Sequence, residues 1–344
     1  MDTTELERIA KQLVHPGKGI LAADESNASC EKRFQAVDVD CNRETRRQYR
    51  QILVTAPGSG DYLNGIIFFD ETFWQADDNG KTFTEIAKER GILPGIKVDE
   101  GLVDLPGFAG EKVSKGLDSL PERIEKYAKY GAKFAKWRSV IAIGEGIPTV
   151  ECIESNAFVL GRYARICQDA GVVPIVEPEV LFDGNHSIEN CEEVMARTFD
   201  ILFETMRSLK VHLPGAILKT SMVLPGKDSG QSIDHNVVGE KTVSVLHKHV
   251  PQELGGVVFL SGGQTPDDAF RNLNVIEQKG SHPWGVTFSY SRALQDPVLK
   301  AWAHHEGDPS AIFKEQLKQA AEASQGKLSE AHSNENFVSH SQDL

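Results

Sequence analysis

The chain has 344 residues, 40% hydrophobic and 25% charged, with a formal net charge of −13. No apolar run approaches the ~20 residues of a membrane helix, which speaks against a membrane protein. So acidic a chain offers no general nucleic-acid surface, although a local group of Lys and Arg can still reverse the field in one cleft.

The opening "MDTTELERIAKQ" is acidic and polar and does not read as a secretory signal. From there, short apolar runs alternate with amphipathic stretches. The predicted strands are "KGILAADES" (18–26), "NGIIFFDET" (64–72), "LPGIKVDEG" (93–101), "KFAKWRSVI" (133–141), "VVPIVEPEV" (172–180), "GAILKTSMV" (215–223), "GVVFLSGGQ" (256–264) and "GVTFSYSRA" (285–293). Predicted helices fall between them: "RETRRQYRQILVTA", "LPERIEKYAKYGA", "ECIESNAFVLGRYARICQDAG" and "ENCEEVMARTFDILFETMRSLKV". Another opens at Pro266 with Asp267 and Asp268, acids where the helix dipole favours them. Eight strands with intervening helices fit an α/β fold of the (β/α)8 TIM-barrel type, in one domain over 1–325. A doubly wound sheet is the alternative, and its nearest glycine fingerprint, "GEGIPT" (144–149), has Thr149 at the third glycine. The last stretch, 326–344, lacks an apolar face and is expected to be a flexible C-terminal tail. Five scattered cysteines without a C-x-x-C pair suit reduced thiols in a cytoplasm, not a disulfide frame or a zinc site.

Charge gathers late in the strands: Asp24, Lys97 with Asp99, Lys136 with Arg138, Glu177 with Glu179, Lys219, and Arg292. A spacing of two puts both members of a pair on one strand face. In a barrel the strand C-termini surround the active site, so these residues would form one polar cup. Lys219 lies in an otherwise apolar run, where an unpartnered ammonium would cost several kcal/mol. A lysine becomes a nucleophile when desolvation or a neighbouring cation depresses its pKa. Attack on a ketone gives a carbinolamine and then an iminium ion, an electron sink that lets a carbon–carbon bond break, with carboxylates moving the protons. "SGG" (261–263) and "SYSR" (289–292) follow or end the last two strands, where many barrels bind phosphate. From the residues alone, the reading is a Schiff-base lyase acting on a phosphorylated ketose.

"GKGILAADES", "GIKVDEG", "FAKWR", "VPIVEPE", "FLSGGQ" and "RALQ" occur in that order from about residue 13 to about residue 303. Together they resemble class I fructose-1,6-bisphosphate aldolase. The resemblance implies a cytoplasmic homotetramer of TIM barrels, free of metal and cofactor. Its partners would be a sugar bisphosphate and triose phosphates, with no nucleic acid and no membrane. It would reversibly cleave fructose 1,6-bisphosphate to dihydroxyacetone phosphate and glyceraldehyde 3-phosphate in glycolysis and gluconeogenesis. By that resemblance Lys219 carries the Schiff base, and Asp24 takes the C4 hydroxyl proton. Glu177 serves carbinolamine dehydration, with Glu179 beside Lys219 in the network, while Lys136 and Arg138 stabilise charge and contact substrate. Lys97, Ser26 and Ser29 would lie toward the C6 phosphate and Ser261, Gly262 and Arg292 toward the C1 phosphate, with Ser289 a further substrate- or phosphate-binding residue.

The chain departs from the family pattern in three places. Thr220 and Ser221 follow the lysine where Pro and Asn are usual, and Ser291 stands for a glycine, which raises the question of a strained positive φ. No tyrosine follows Tyr290, so a proton-donating terminal tyrosine is lacking, and His332 and His340 are the tail's candidate acids. His247 and His249 are expected to diverge rather than share a metal. Trp137 is expected to point away from Lys136 and Arg138 and pack under the helices, and His304 and His305 to sit at a solvated helix end. A sedoheptulose-bisphosphate-preferring aldolase and a non-catalytic scaffold are the competing functional readings.

Overall fold

A computed structural model describes residues 2–329. Among the described residues ten strands form: β1 Gly19–Ala23, β2 Leu63–Phe68, β3 Leu93–Lys97, β4 Leu102–Asp104, β5 Lys112–Ser114, β6 Phe134–Ile141, β7 Val173–Val180, β8 Ile217–Thr220, β9 Gly256–Phe259 and β10 Val286–Tyr290. Eight close into a barrel in the order β1-β10-β9-β8-β7-β6-β3-β2, every neighbouring pair parallel. These are the eight expected strands, and the doubly wound alternative falls with the closure of the sheet. The other two form a small antiparallel hairpin, β4–β5, that three-residue strands make invisible to periodicity.

Twelve helices accompany them: α1 Thr3–Leu13, α2 Asn27–Gln35, α3 Arg43–Thr55, α4 Asp70–Phe73, α5 Phe83–Glu89, α6 Leu120–Lys129, α7 Val150–Asp169, α8 Ile188–Ser208, α9 His235–His249, α10 Pro266–Gln278, α11 Arg292–His304 and α12 Pro309–Ala323. Their starts follow the chain's polar punctuation. Ser26, Thr149, Ser187 and Thr265 each accept a backbone N–H at an N-cap, and Asn42 with Thr45 and Thr82 with Glu85 form capping boxes. "GEGIPT" is the loop into α7, with Thr149 as its cap.

The core has two layers. Outward-facing strand residues pack under the helices, Trp137 among them, fully buried beside Tyr163 and donating its indole N–H to Ser114 at 2.6 Å. Inside the barrel, Ile20, Ala22, Ile67, Phe134, Ile175, Ile217 and Val258 meet Leu6, Ile9, Ala10 and Leu13 of α1. Val14, at the end of α1, lies against Gly256 and Gly285 where β9 and β10 begin, so α1 plugs the N-terminal mouth. Phe134 fills the interior because its neighbours lack side chains. A Cβ on Gly95 would come within 2.3 Å of its ring, and one on Gly65 within 2.9 Å. With that end plugged and the middle filled, open space remains only at the C-terminal ends of the strands.

Candidate active site

A cleft of about 960 Å³ opens at those ends. Eight basic and seven acidic side chains line it, so its charge is one unit positive on a chain of −13.

At its floor lie four buried charged groups. Lys219, on β8, is 3% exposed, and its Nζ is 3.1 Å from Glu177 Oε1. Glu177, on β7, holds Lys136 Nζ at 3.1 Å through Oε2. Lys136, on β6, donates to Asp24 Oδ2 at 2.6 Å. Lys219, Glu177, Lys136 and Asp24 therefore form one alternating chain of charge. Inter-strand register creates it: Lys97 pairs with Lys136, and Arg138 pairs with Glu177. Asp24 lies one residue past the end of β1, where the chain begins to turn toward α2.

Alternation is what permits burial. For Asp24, burial works against ionisation, but Lys136, Lys219 and Lys97 outweigh it and hold the carboxyl down to about 2 from 3.8. Burial likewise opposes charge on Glu177, and Lys136, Lys219 and Arg138 reverse the balance and lower its pKa. For Lys136 burial favours the neutral amine, yet Asp24 and Glu177 raise its pKa and keep it charged. Breaking a buried pair costs about 3–5 kcal/mol, so each member depends on its neighbours.

The remaining expected residues ring this floor. Arg138 engages Glu179, which places Glu179 with the guanidinium and leaves Glu177 as the carboxylate on Lys219. Lys97 binds Asp99 Oδ1 at 2.7 Å, and the other Asp99 oxygen accepts from the Arg138 backbone N–H at 3.3 Å. Ser26 caps α2, and its hydroxyl lies 3.0 Å from that of Ser29, so two hydroxyls and the helix N-terminus face the cleft together. Ser261, Gly262, Ser289 and Arg292, at the ends of β9 and β10, line the same cleft, and β10 is the strand next to β1. The Ser289 hydroxyl is buried without a hydrogen-bond partner among the described residues. Arg292 is exposed and has no carboxylate partner among the described residues, whereas Lys97, Lys136, Arg138 and Lys219 all do. An unpaired, forked guanidinium beside an unpaired hydroxyl suits an incoming oxyanion.

The concern over Ser291 is answered by its backbone. Its φ is −109°, so a serine stands there without left-handed strain. His247 and His249 diverge as expected, toward His282 at 3.0 Å and Asp200 at 2.8 Å, and His304 closes α11. Among the described residues no three His, Cys, Asp or Glu side chains cluster so as to hold a metal, and all five cysteines are free. His332 and His340 lie outside the described residues. The sequence reading overlooked Glu25, next to Asp24, which is bound by Arg33, by Arg50 at 2.6 Å and by the Ser291 hydroxyl at 2.9 Å. Those partners are 8 to 266 positions away in the chain, so no local spacing could have revealed them.

Comparisons with known proteins point to one family. A family model described as fructose-bisphosphate aldolase class-I matches residues 5–343. The chain is 46% identical over 327 residues to fructose-bisphosphate aldolase 4, cytosolic, of Arabidopsis thaliana, covering 95% of this chain and 83% of that one. It is 48% identical over 303 residues to the probable fructose-bisphosphate aldolase class 1 of Xanthomonas campestris pv. campestris, covering 88% and 91%. Among solved structures, fructose-bisphosphate aldolase from Plasmodium falciparum, in complex with TRAP and a small molecule inhibitor, matches with a TM-score of 0.93. Identity there is 42%, and 95% of both chains is covered.

Proposed function

Because the chain belongs to the class-I fructose-bisphosphate aldolase family, whose members are carbon–carbon lyases, we propose that Lys219 is the amine that carries the substrate. The supporting observation is its burial in an apolar strand, with Glu177 its one carboxylate partner among the described residues.

In this reading Lys219 Nζ, as the free amine, attacks the C2 carbonyl of fructose 1,6-bisphosphate. Glu177, having taken the proton that frees the Lys219 amine, passes it to the departing C2 hydroxyl, which leaves as water and yields the iminium ion. Asp24, kept ionised by Lys136, takes the proton of the C4 hydroxyl. The electrons of the O–H bond form the aldehyde, and those of the C3–C4 bond flow to the iminium nitrogen. Glyceraldehyde 3-phosphate departs and leaves an enamine on Lys219. Protonation at C3 and addition of water then release dihydroxyacetone phosphate and restore the amine. Lys136 and Arg138 offset the negative charge that develops on oxygen. Ser26, Ser29 and Lys97 hold the C6 phosphate, and Ser261, Gly262, Ser289 and Arg292 the C1 phosphate. Glu179 steers Arg138. The nitrogen cation supplies the electron sink, so the reaction needs no metal or other cofactor. The family's homotetrameric, cytoplasmic habit is part of the same proposal.

Borohydride reduction in the presence of dihydroxyacetone phosphate, followed by peptide mass mapping, tests it. The label is expected on Lys219, and Lys219→Ala is expected to abolish turnover. A label confined to Lys136 or Lys97 would overturn the assignment.

A further inference from the structure

Ser291 separates β10 from α11 and immediately precedes Arg292. Its hydroxyl donates to Glu25 Oε1 at 2.9 Å and accepts from Gln295 Nε2 at 3.1 Å. Glu25 Oε1 also takes Arg33, and its other oxygen takes Arg50 Nη2 at 2.6 Å. Burial works against charge on this carboxyl, but Arg50 and Arg33 lower its pKa, so it is a fixed anion on the cleft wall. Arg292 lines the same cleft, with no carboxylate partner among the described residues. A carboxylate free to turn toward Arg292 would occupy the guanidinium fork that a phosphate needs.

We propose that Ser291 is a positioning residue of the C1-phosphate site: its hydroxyl, itself held by Gln295, keeps Glu25 turned to Arg33 and Arg50 and so leaves Arg292 open to the substrate anion. The inference rests on the reading of Arg292 as a phosphate ligand. Ser291 acts through Glu25, so its effect falls on binding of the C1 phosphate and not on the bond-breaking step.

The experiment compares the wild type with Ser291→Ala, Ser291→Thr and Arg292→Ala. It measures kcat and KM for fructose 1,6-bisphosphate and the inhibition constants of dihydroxyacetone phosphate and glyceraldehyde 3-phosphate. Loss of one hydrogen bond to a carboxylate that Arg33 and Arg50 still hold predicts that Ser291→Ala raises KM and the dihydroxyacetone phosphate constant about 3- to 10-fold, with kcat changed by less than about twofold. The glyceraldehyde 3-phosphate constant stays put, and Ser291→Thr, which keeps the hydroxyl, restores wild-type values. Ser291→Gly carries the same expectation as alanine and replaces it should that variant not fold. An unchanged KM in Ser291→Ala beside a raised KM in Arg292→Ala overturns the proposal alone. A fall in kcat at constant KM, or a threonine variant as impaired as alanine, overturns it too. Unchanged dihydroxyacetone phosphate inhibition in Arg292→Ala removes the phosphate reading underneath, and the proposal goes with it.

Discussion

Lys136 has the largest share of the electrostatic work on the cleft floor, since it alone touches both Asp24 and Glu177. Asp24 is held down to about 2 from 3.8, so its ionised form stabilises the fold above about pH 4, and that contribution fades as pH falls toward 2. Lys136→Met removes the cation and reverses the sign, because two buried carboxylates that have lost a partner now gain from taking up protons. The variant is expected to be less stable by about 3–5 kcal/mol at pH 7, with the deficit narrowing below about pH 4. Urea unfolding at several pH values checks this, and a deficit that widened in acid would contradict it. Much of this floor was legible in the sequence, because charges two apart on a strand share a face and late strand positions converge. The exception was the partner choice of Glu179. Alternation assigns a face but not a partner, and only the stagger between strands set Arg138 against it.

At the level of elements, the eight barrel strands could be read from their apolar runs, α3, α6, α7 and α8 from their amphipathic stretches, and α10 from Pro266 and the acids that follow it. The first helix lies in "MDTTELERIAKQ", which by sequence alone reads only as acidic and polar. Leu6, Ile9, Ala10 and Leu13 do recur at helical spacing, but they are few among charged neighbours, and their burial depends on a barrel that forms later in the chain. The interior beneath the cleft depends on a size match across strands, with Phe134 set against Gly95 and Gly65. Gly95→Ala is expected to destabilise by about 1–3 kcal/mol through overpacking. Phe134→Leu in the same chain is expected to recover part of that loss, since the two sites share one space. Thermal unfolding of both singles and the double gives the coupling. Strictly additive losses would mean that the ring does not fill the glycine gap.

For the molecule as a whole, the cleft gathers positive charge on a strongly acidic chain, a distribution that draws doubly charged phosphates inward and repels most other acidic surfaces. The metal-free mechanism predicts full activity after exhaustive chelation, and a loss that zinc or cobalt restored would refute it. The tail is expected to be dispensable for the chemistry. Leu328 donates its N–H to Asn274 at 2.9 Å, so a cut after Ser329 keeps that anchor. Such a truncation is expected to slow cleavage by less than about tenfold, small beside the 10²–10⁴ of a positioned general acid. A hundredfold loss of proton exchange at the dihydroxyacetone phosphate carbon, with single-turnover cleavage intact, would assign that proton to the tail.

The helix that seals the barrel's base also governs traffic. With α1 beneath and Phe134 across the middle, the cleft is a cul-de-sac, entered and left by one door. A bisphosphate is split in place there, and both halves must depart past the same ring of cations. In the proposed reaction one half is free at once, while the other is still bonded to Lys219 at the blind end. Geometry thus imposes a queue: the untethered aldehyde leaves first, and the ketone follows only after water has released it from the wall.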